Sequence, residues 1–433
     1  MVGAEPGPWG PTIKAGRRFR LLRAVTAALS VAVVVGGVAA YTSAQLLIEQ
    51  AETSLTRVPV PELEEAEAAT DARHFLVVGS DARDELDDDD LDGLSLGEFE
   101  GQRSDVIIYV AISEDRESIS LVSLPRDLLV MDNGRPAKLT DTFAGGPDEL
   151  IRVVRENFGL PVNHYAAISL GGFIEVVGTL GEVEICLDEP LVDWRAGADF
   201  EAGCQDMDAT ESLAYVRSRQ GERADFERID RQHDFMRAVL SELTDTRILA
   251  NPRQLSRLVE DVAGNVTTDD NLGIGQMVGL ADEARGVVAD GLPMTTVPAY
   301  PRRIDGIDYM VPYRPGAEAM FQALIDGEPL ASRGTRDERD ETSVVLYSGG
   351  HPQSIGIVRS TLQFAGFGPR PSGTGPEELR AGSRTVVYEV PGEEERAAWV
   401  AATLGAPIES LPAGVEVPEG ASVVVSVGAD ASG

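Results

Sequence analysis

The stretch "DVIIYVAISEDRESISLVSLPRDL" (residues 105–128) decides the fold class of this chain. It contains two short apolar runs, "DVIIYVAI" and "SISLVSL", which are rich in β-branched residues and are separated by a polar segment. A third run of this kind, "HFLVVGS", lies upstream and reaches Gly79. Runs of this length and composition predict buried β-strands.

Helical patterns alternate with these strands. In "GPDELIRVVRENFG", Leu150, Val153, Val154 and Phe158 share one helical face, and Gly159 is a suitable helix end. The following segment, "GGFIEVVGTLGEVEICL", passes from a helical pattern to a strand pattern. This alternation predicts an α/β fold with a central mixed sheet sandwiched by helices.

The N-terminus has the pattern of a membrane anchor. Five cations between Lys14 and Arg23 precede the apolar segment "AVTAALSVAVVVGGVAAYTSAQLL" (residues 24–47), which is long enough to cross the hydrocarbon core as a helix. The positive-inside rule then predicts a cytoplasmic tail over residues 1–23 and a single-pass protein of the cell membrane with its remaining domains outside. A cleaved signal peptide is the alternative, because "GVAA" and "TSA" offer small-residue cleavage sites.

The exported part divides by composition. Residues 48–72 are rich in Glu and Ala and predict a stalk, and residues 73–326 contain the alternating strands and helices of the main domain. The polar segment 327–341 has no periodicity and predicts a linker. Residues 342–430 then repeat strand and helix patterns and predict a second, smaller α/β domain.

Charge and cysteine content limit the partners. The chain has 37 Lys+Arg against 72 Asp+Glu and a net charge of -35, which opposes nucleic-acid binding because that binding needs a broad positive face. The two cysteines, Cys186 and Cys204, flank a polar loop, and in an oxidising compartment they are expected to form a disulfide that closes it. A metal site at these cysteines is disfavoured, because no histidine lies near either one in the sequence.

Arg/Asp pairs recur at the predicted strand ends. Asp81 and Arg83 follow the first strand, Arg103 and Asp105 come at the start of the next, and "SLPRDL" places Arg126 and Asp127 after another. Loops at the strand ends of an α/β sheet are where such folds bind ligands. Each pair taken alone is equally consistent with a surface ion pair of little energetic weight.

A cluster of arginines follows in "AYVRSRQGERADFERIDRQH" (residues 214–233). The Asp208 to Glu211 spacing just before it fits a helix N-terminal cap and predicts a short helix over residues 212–216. An extended backbone over "RSR" would send Arg217 and Arg219 to the same side. In the helix predicted from Asp225 onward, the spacing places Arg228, Arg231 and Gln232 on one face with Asp225. This helix face alone could be an ordinary solvated one, but together with the Arg/Asp pairs it indicates an anion site.

These segments together resemble a known family. The motifs "VVGSDAR", "RSDVIIYV", "SLPRDL", "KLTDTFAGG", "NHYAAISLGGFIEVVGTLGEVEI" and "LAYVRSR…DFERIDRQ" are similar in order and spacing to those of the LytR-CpsA-Psr envelope phosphotransferases. The resemblance covers the main domain, residues 73–326, and identifies it as a catalytic domain of this type. The second unit, residues 342–430, resembles the LytR C-terminal domain.

The resemblance implies a function and a set of site residues. Such proteins transfer a glycopolymer from a polyprenyl-pyrophosphate carrier in the membrane to peptidoglycan, with Mg²⁺, or in its place Mn²⁺, at the site. By matching motifs, Asp81 and Asp105 would hold the metal, and phosphate oxygens would be bound by Arg83, Arg103, Arg126, Arg217, Arg219, Arg228, Arg231 and Gln232. Lys138, Asp127 and Asp225 complete the expected substrate-binding set. Apolar helix residues such as Phe173, Ile174, Val176 and Val177 would either line a lipid groove or belong to the core.

Some features depart from the family pattern. Glu182 replaces a usual glycine near a turn, and Thr140 and Asp141 occupy positions where Asn or Ser with a small residue is commoner. The acidic segment 88–100 partly fits a calcium loop, but Phe99 stands where a bidentate carboxylate is required, so a solvated acidic insertion is the alternative.

Other functions remain compatible with the same residues. A polyprenyl-pyrophosphate phosphatase would use the same site with water as the acceptor, and a non-catalytic lipid-carrier binding protein would not need the two aspartates. A transcriptional attenuator is opposed by the predicted anchor and by the net charge.

The anchor predicts a defined topology. If residues 24–47 stay in the membrane, protein isolated from membranes should keep its N-terminal tail, and protease added outside intact cells should cut only after Leu47. N-terminal sequencing and protease protection measure these two properties. A soluble mature form that begins near Tyr41 or Gln45 would instead establish cleavage.

Overall fold

The computed structural model of the chain describes residues 49, 51–63, 73–80, 104–219, 224–244, 252–277, 279–280, 294–348, 351–379 and 382–432. The predicted membrane segment 24–47, the site candidates Asp81, Arg83 and Arg103, and the acidic segment 88–100 lie outside these residues. None of the helices within the described ranges is long and apolar enough to cross a bilayer.

The chain alternates strands and helices along most of its described length. The strands, in chain order, are β1 (Thr56–Val58), β2 (Arg73–Ser80), β3 (Ser104–Ile112), β4 (Ile119–Ser123), β5 (Leu129–Asp132), β6 (Arg135–Lys138), β7 (His164–Ile168), β8 (Val183–Leu187), β9 (Leu191–Asp193), β10 (Ala198–Phe200), β11 (Gly203–Met207), β12 (Val266–Asp269), β13 (Met294–Thr296), β14 (Ala299–Ile304), β15 (Ile307–Pro312), β16 (Ser343–Ser348), β17 (Gly368–Thr374), β18 (Val386–Glu389), β19 (Ile408–Ser410) and β20 (Val423–Val427). The α-helices that position the site and the two cores are α1 (Leu139–Thr142), α2 (Pro147–Phe158), α3 (Leu170–Leu180), α4 (Ala209–Arg217), α5 (Ala224–Thr244), α6 (Pro252–Asn265), α7 (Arg314–Ile325), α8 (Arg336–Glu341), α9 (Pro352–Phe364) and α10 (Glu394–Leu404).

A seven-stranded mixed sheet forms the centre of the molecule, in the order β1-β12-β7-β2-β3-β4-β13. Strand β2 runs parallel to β7 and antiparallel to β3, which in turn is antiparallel to β4. Strand β13 is parallel to β4 at the edge of the sheet. The predicted α/β fold with a central mixed sheet is therefore confirmed.

Both faces of this sheet are buried. On β3, Ile107 and Tyr109 pack in one core with Leu150 of α2, whereas Ile108 packs in a second core against Met236 of α5. Strands that are covered on both faces need apolar residues at successive positions. This explains why the sequence of β3 is a continuous apolar run without alternation.

Helix α2 has the predicted apolar face. Leu150, Val153 and Val154 are buried against the sheet, and the left-handed conformation of Gly159 (φ 68°) ends the helix. A residue with a Cβ is disfavoured in that conformation, which glycine adopts without strain. Position and end of the helix both agree with the sequence prediction.

A second sheet follows, in the order β17-β16-β20-β18-β19. Its core contains Trp399 of α10 together with Tyr300 and Tyr313 from the preceding part of the chain. Residues Ser54–Gly433 consequently form one compact unit that contains both sheets.

The segment for which the sequence predicts a linker, residues 327–341, carries the short helix α8 and a well-packed arginine. Arg333 donates hydrogen bonds to Thr295 Oγ1 at 3.1 Å, Thr296 O at 3.2 Å and Ala402 O at 3.0 Å. A helix of only six residues shows no hydrophobic periodicity, so its sequence resembles that of a linker.

The predicted disulfide is present and joins directly paired positions of a hairpin. Cys186 of β8 and Cys204 of β11 are register partners, with an S–S distance of 2.01 Å. The loop between them is not irregular, because it contains the smaller hairpin β9–β10. The disulfide therefore fixes the base from which this hairpin projects.

Loss of the disulfide should lower stability. We expect Cys204→Ser to reduce the free energy of unfolding by about 3 kcal/mol, the loop-closure value for a loop of this size. Denaturant unfolding of the full-length protein measures the change, and Cys186→Ser is the matched variant. Identical unfolding midpoints for oxidised and reduced wild type would contradict this stabilising role.

Two histidines are buried, and burial disfavours their charged forms. Burial lowers the pKa of His74, which stacks on Tyr109 at 5.7 Å between ring centroids, to about 4. Burial, with added repulsion from Arg237 and Arg339, lowers the pKa of His233 to about 3. Both side chains are therefore neutral at neutral pH.

These pKa values predict acid sensitivity. Below pH 6.5 the unfolded chain binds protons that the folded chain excludes, so stability should fall as the pH drops from about 6.5 toward 4, by about 1.4 kcal/mol per pH unit for each histidine. Denaturant midpoints at pH 7, 6 and 5 measure the slope. His74→Gln and His233→Gln should each flatten it, and an unchanged slope in both variants would show that other groups cause the sensitivity.

Candidate functional site

One edge of the central sheet collects the strand ends that precede the predicted site residues. Strands β2, β4, β7 and β13 end at this edge, and the antiparallel β3 begins there. Ser80, the last residue of β2, pairs with Ser104, the first residue of β3. Asp81 and Arg83 follow Ser80 in the sequence, and Arg103 precedes Ser104. All three lie outside the described residues.

Asp105 occupies an irregular position of the ladder at this edge. Gly79 pairs with Val106 and Ser80 with Ser104, so Asp105 is an extra residue in β3. A β-bulge re-aims side chains and is common beside functional sites. Gly79 also permits close approach, because a Cβ there would lie 3.2 Å from the Cβ of Val106.

Three charged side chains, Arg126, Asp127 and Lys138, meet just beyond the end of β4. Asp127 accepts a hydrogen bond from Lys138 Nζ at 2.8 Å, and its other oxygen lies 3.5 Å from Arg126 Nε. The backbone holds these groups in place, since Thr140 N donates to Arg126 O and Met310 N donates to Asp127 O. Lys138 thus neutralises Asp127, and the triplet as a whole carries one net positive charge.

Helix α5 contributes a second arginine, Arg228, beside Arg126 and Asp127. A cavity of about 190 Å³ is lined by Arg126 and Asp127 from the end of β4 and by Arg228 and Gln232 from α5, with Tyr309 of β15 on another side. Arg228 is only 6% exposed. The structure therefore brings together four of the predicted site residues around one small cavity.

Arg231 departs from the predicted arrangement. It lines a separate cavity of about 1240 Å³ together with Glu227 and Asp234, and its Nη2 donates to Ser218 O at 2.7 Å. On a helix, positions i+3 and i+4 lie on opposite sides of the line through residue i. Helix α5 lies between the two cavities. Gln232 therefore lines the same small cavity as Arg228, whereas Arg231 lines the larger one.

The "RSR" segment links α5 to the disulfide-closed loop. Arg217 is the last residue of α4, and this helix begins with the predicted cap, in which Asp208 accepts from Glu211 N at 2.8 Å. Arg219 has an exposed side chain, and its backbone N donates to Asp193 Oδ2 at 2.7 Å. The guanidinium groups of the predicted cluster are thus distributed over the two sides of α5 and the protein surface.

Three residues around the site were not found from the sequence. Ser123 Oγ lies 2.7 Å from His233 Nε2, which ties the end of β4 to α5 inside the molecule. Burial raises the pKa of Asp193, but hydrogen bonds from Arg219 N and Arg195 N outweigh it and hold the pKa below its usual value. His233 adjoins the arginine motif and could have been noticed there, whereas no local pattern marks Ser123 or Asp193.

Two of the apolar residues predicted for a lipid groove or the core pack in an apolar core. Phe173 packs on Phe235 at 5.3 Å between ring centroids, and Val177 is buried in the same core. These two residues follow the core alternative rather than the lipid groove. Asp225 and Asp105 lie in α5 and β3, respectively.

The possible metal ligands concern the described residues. These contain no group of three or more His, Cys, Asp or Glu side chains placed to hold a metal ion. Asp81, one of the two predicted ligands, lies outside that part of the chain. The magnesium site consequently stays a prediction.

Known proteins share this sequence and architecture. The chain is 33% identical over 282 residues to a probable cell wall biosynthesis protein, LcpB, of Corynebacterium glutamicum, an alignment that spans 63% of this chain and 66% of the relative's length. It is 27% identical over 249 residues to a polyisoprenyl-teichoic acid–peptidoglycan teichoic acid transferase, TagU, of Halalkalibacterium halodurans, covering 56% of this chain and 75% of that protein. The solved structure of a LytR-Csp2A-Psr enzyme from Actinomyces oris matches the fold with a TM-score of 0.50 and 24% identity, over 62% of this chain and 95% of that one.

A family model also matches this chain. The LytR_cpsA_psr family model covers residues 38–326, which include the central sheet, the charged end of β4 and the arginines of α4 and α5. Because the match extends over well more than half of the chain, this protein belongs to the LytR-CpsA-Psr family.

Proposed function

We propose that this protein transfers a glycopolymer from a polyprenyl-pyrophosphate carrier to peptidoglycan and leaves a phosphodiester link between them. Family membership and the relatives named as teichoic acid transferases and cell wall biosynthesis proteins support this reaction class. The negative net charge supports a partner other than nucleic acid.

The cavity shared by Arg126 and Arg228 is the observation that carries the proposal. These two side chains come from different parts of the chain, the segment just after β4 and the second turn of α5, and line the same small cavity. Phosphoryl transfer is accelerated chiefly by positioning and by fixed positive charge around the phosphoryl oxygens. A partly dry cavity strengthens that attraction relative to water.

The surroundings of the two arginines keep them in position. Lys138 binds Asp127 from one side, so this carboxylate can orient Arg126 without cancelling the positive charge of the cavity. Ser123 and His233 join β4 to α5 one residue beyond Gln232, which fixes the distance between the two sources of arginine. In this arrangement, the chain binds and aligns the pyrophosphate, and the acceptor hydroxyl enters from the open end of the sheet.

Asp81 and Asp105 are the proposed ligands of Mg²⁺. Carboxylate oxygens are the ligands this ion prefers, and the backbone supports the pairing because Asp105 stands in the bulge opposite Ser80, the residue that precedes Asp81. When bound, the ion would neutralise charge on the pyrophosphate. Mn²⁺ suits the same oxygen ligands.

We also propose that the reaction occurs at the outer face of the cell membrane. The disulfide between Cys186 and Cys204 supports an oxidising compartment, and the apolar segment 24–47 supports attachment to the membrane that holds the lipid carrier.

Conservative replacement of Arg228 should strongly reduce activity. Arg228→Lys keeps one charge but loses the planar fork, so we expect prenyl phosphate release to fall roughly ten- to a hundredfold at saturating Mg²⁺. Arg219→Lys, at an exposed side chain, should lose less. Arg314→Lys, at an exposed arginine at the start of α7, is the matched control, and equal activity of all four proteins would contradict the site.

Removal of the proposed metal ligand should separate the possible functions. Asp105→Ala should fold normally and lose Mg²⁺-dependent turnover, because it leaves the arginines in place. Release of prenyl phosphate and labelling of a peptidoglycan acceptor are measured side by side with wild type. Wild-type release without acceptor labelling would establish a phosphatase, and wild-type binding of the donor without any release would establish a binding protein.

A further inference from the structure

An exposed tryptophan stands at the tip of the β9–β10 hairpin. Trp194 is 78% exposed, the largest exposed fraction among the large apolar side chains described, and Val192 on the adjoining strand is 53% exposed. The guanidinium carbon of Arg195 lies 5.2 Å from the centroid of the Trp194 ring. The indole has a cation on one face and solvent around most of its surface, so it offers apolar area for contact with a ligand.

The tip is held rigidly. Asp193 Oδ1 accepts a hydrogen bond from Arg195 N at 3.0 Å, and Ala196 N donates to Asp193 O at 3.0 Å, which closes the turn. Strands β9 and β10 are paired below it, and the disulfide joins the strands β8 and β11 at the base. A ring fixed in this way loses little conformational entropy when it binds a ligand.

The hairpin tip also touches the arginine segment. Asp193, next to Trp194, accepts from Arg219 N at 2.7 Å. The adjoining Ser218 has its carbonyl oxygen bonded by Arg231 of α5 at 2.7 Å. Through these contacts a short, continuous path connects Trp194 to the helix whose other face carries Arg228 and Gln232.

The charge around the tip decides between possible occupants. The loop between the strands β8 and β11, residues 188–202, carries five carboxylates and one cation, Arg195, and Arg219 adjoins the loop through its backbone. Such a surface repels anionic lipid headgroups and the pyrophosphate end of the donor. It does not repel an uncharged sugar, whose ring presents a face of C–H groups that packs flat against an aromatic ring.

We propose that the Trp194 tip is a saccharide platform that binds a sugar ring of the peptidoglycan acceptor. This inference rests on the proposed function, since it assigns the acceptor side of the same transfer. Trp194 supplies the stacking surface, Arg195 covers the opposite face of the ring, and Asp193 fixes the platform relative to Arg219. The donor and the acceptor would then be held by different surfaces, one cationic and one aromatic.

Binding of acceptor fragments tests the platform without requiring turnover. The probe is a soluble peptidoglycan fragment with intact disaccharides, added to the full-length protein in detergent. The fragment should protect Trp194 from acrylamide quenching of fluorescence, measured as the difference between wild type and Trp194→Phe. Trp194→Ala should weaken fragment binding roughly tenfold, the loss typical of a stacked aromatic anchor, and Trp194→Phe less.

Kinetics supply the second readout. Trp194→Ala should raise the KM for the acceptor roughly tenfold and leave the KM for the donor unchanged. Ile408→Ala, at an exposed apolar residue of β19 in the second sheet, is the matched control and should change neither value. Thermal unfolding of the variants should match wild type, because the replaced side chains are exposed.

Three outcomes would overturn the platform, and a fourth would overturn the transferase instead. Protection of Trp194 by anionic lipid vesicles but not by the fragment would make the tip a membrane contact, and protection by the glycopolymer donor alone would assign it to the donor. Equal fragment binding by wild type and Trp194→Ala would remove any role in recognition. Fragment binding that depends on Trp194 in a protein that transfers nothing would keep the platform and reject the transferase.

Discussion

Burial of both faces of the central sheet is the constraint on which the site depends. Helix α2 covers one face and α5 the other, so the strands between them carry apolar side chains at successive positions. Charged groups are disfavoured along such strands, since burying them without partners costs several kcal/mol. They are found where the strands end, and the mixed order of the sheet brings the ends of β2 and β4 and the start of β3 to one edge.

Helix α5 adds to this edge the groups that the sheet cannot supply. Its apolar residues, including Met236, belong to the core, and the contact between Ser123 and His233 anchors it to β4. The same helix faces a small cavity with Arg228 and a much larger one with Arg231. One helix therefore serves two spaces, and a residue spacing of three or four decides which space a side chain enters.

The disulfide-closed loop is held both at its base and at its far end. Cross-linking of Cys186 and Cys204 restricts the base of the loop, and Asp193 ties its far end to the backbone of Arg219. The result is an exposed aromatic residue in a defined position beside a cluster of arginines. Loops held by a rigid scaffold are frequent sites of recognition for this reason.

The sequence by itself determined the fold class, the position and end of α2, the capping of α4, the disulfide and the segments that contain the site. Each depends on a local pattern: β-branched runs, helical spacing before a glycine, an Asp–Glu cap, and a pair of cysteines in an exported chain. Only the tertiary structure decided that Arg126 and Arg228 share a cavity while Arg231 does not, because this follows from which elements pack on each side of α5. It likewise decided that Asp193 binds the backbone of Arg219 and that Arg333, within residues 327–341, donates hydrogen bonds to Thr295, Thr296 and Ala402, since contacts between residues distant in the chain leave no periodic signal in it.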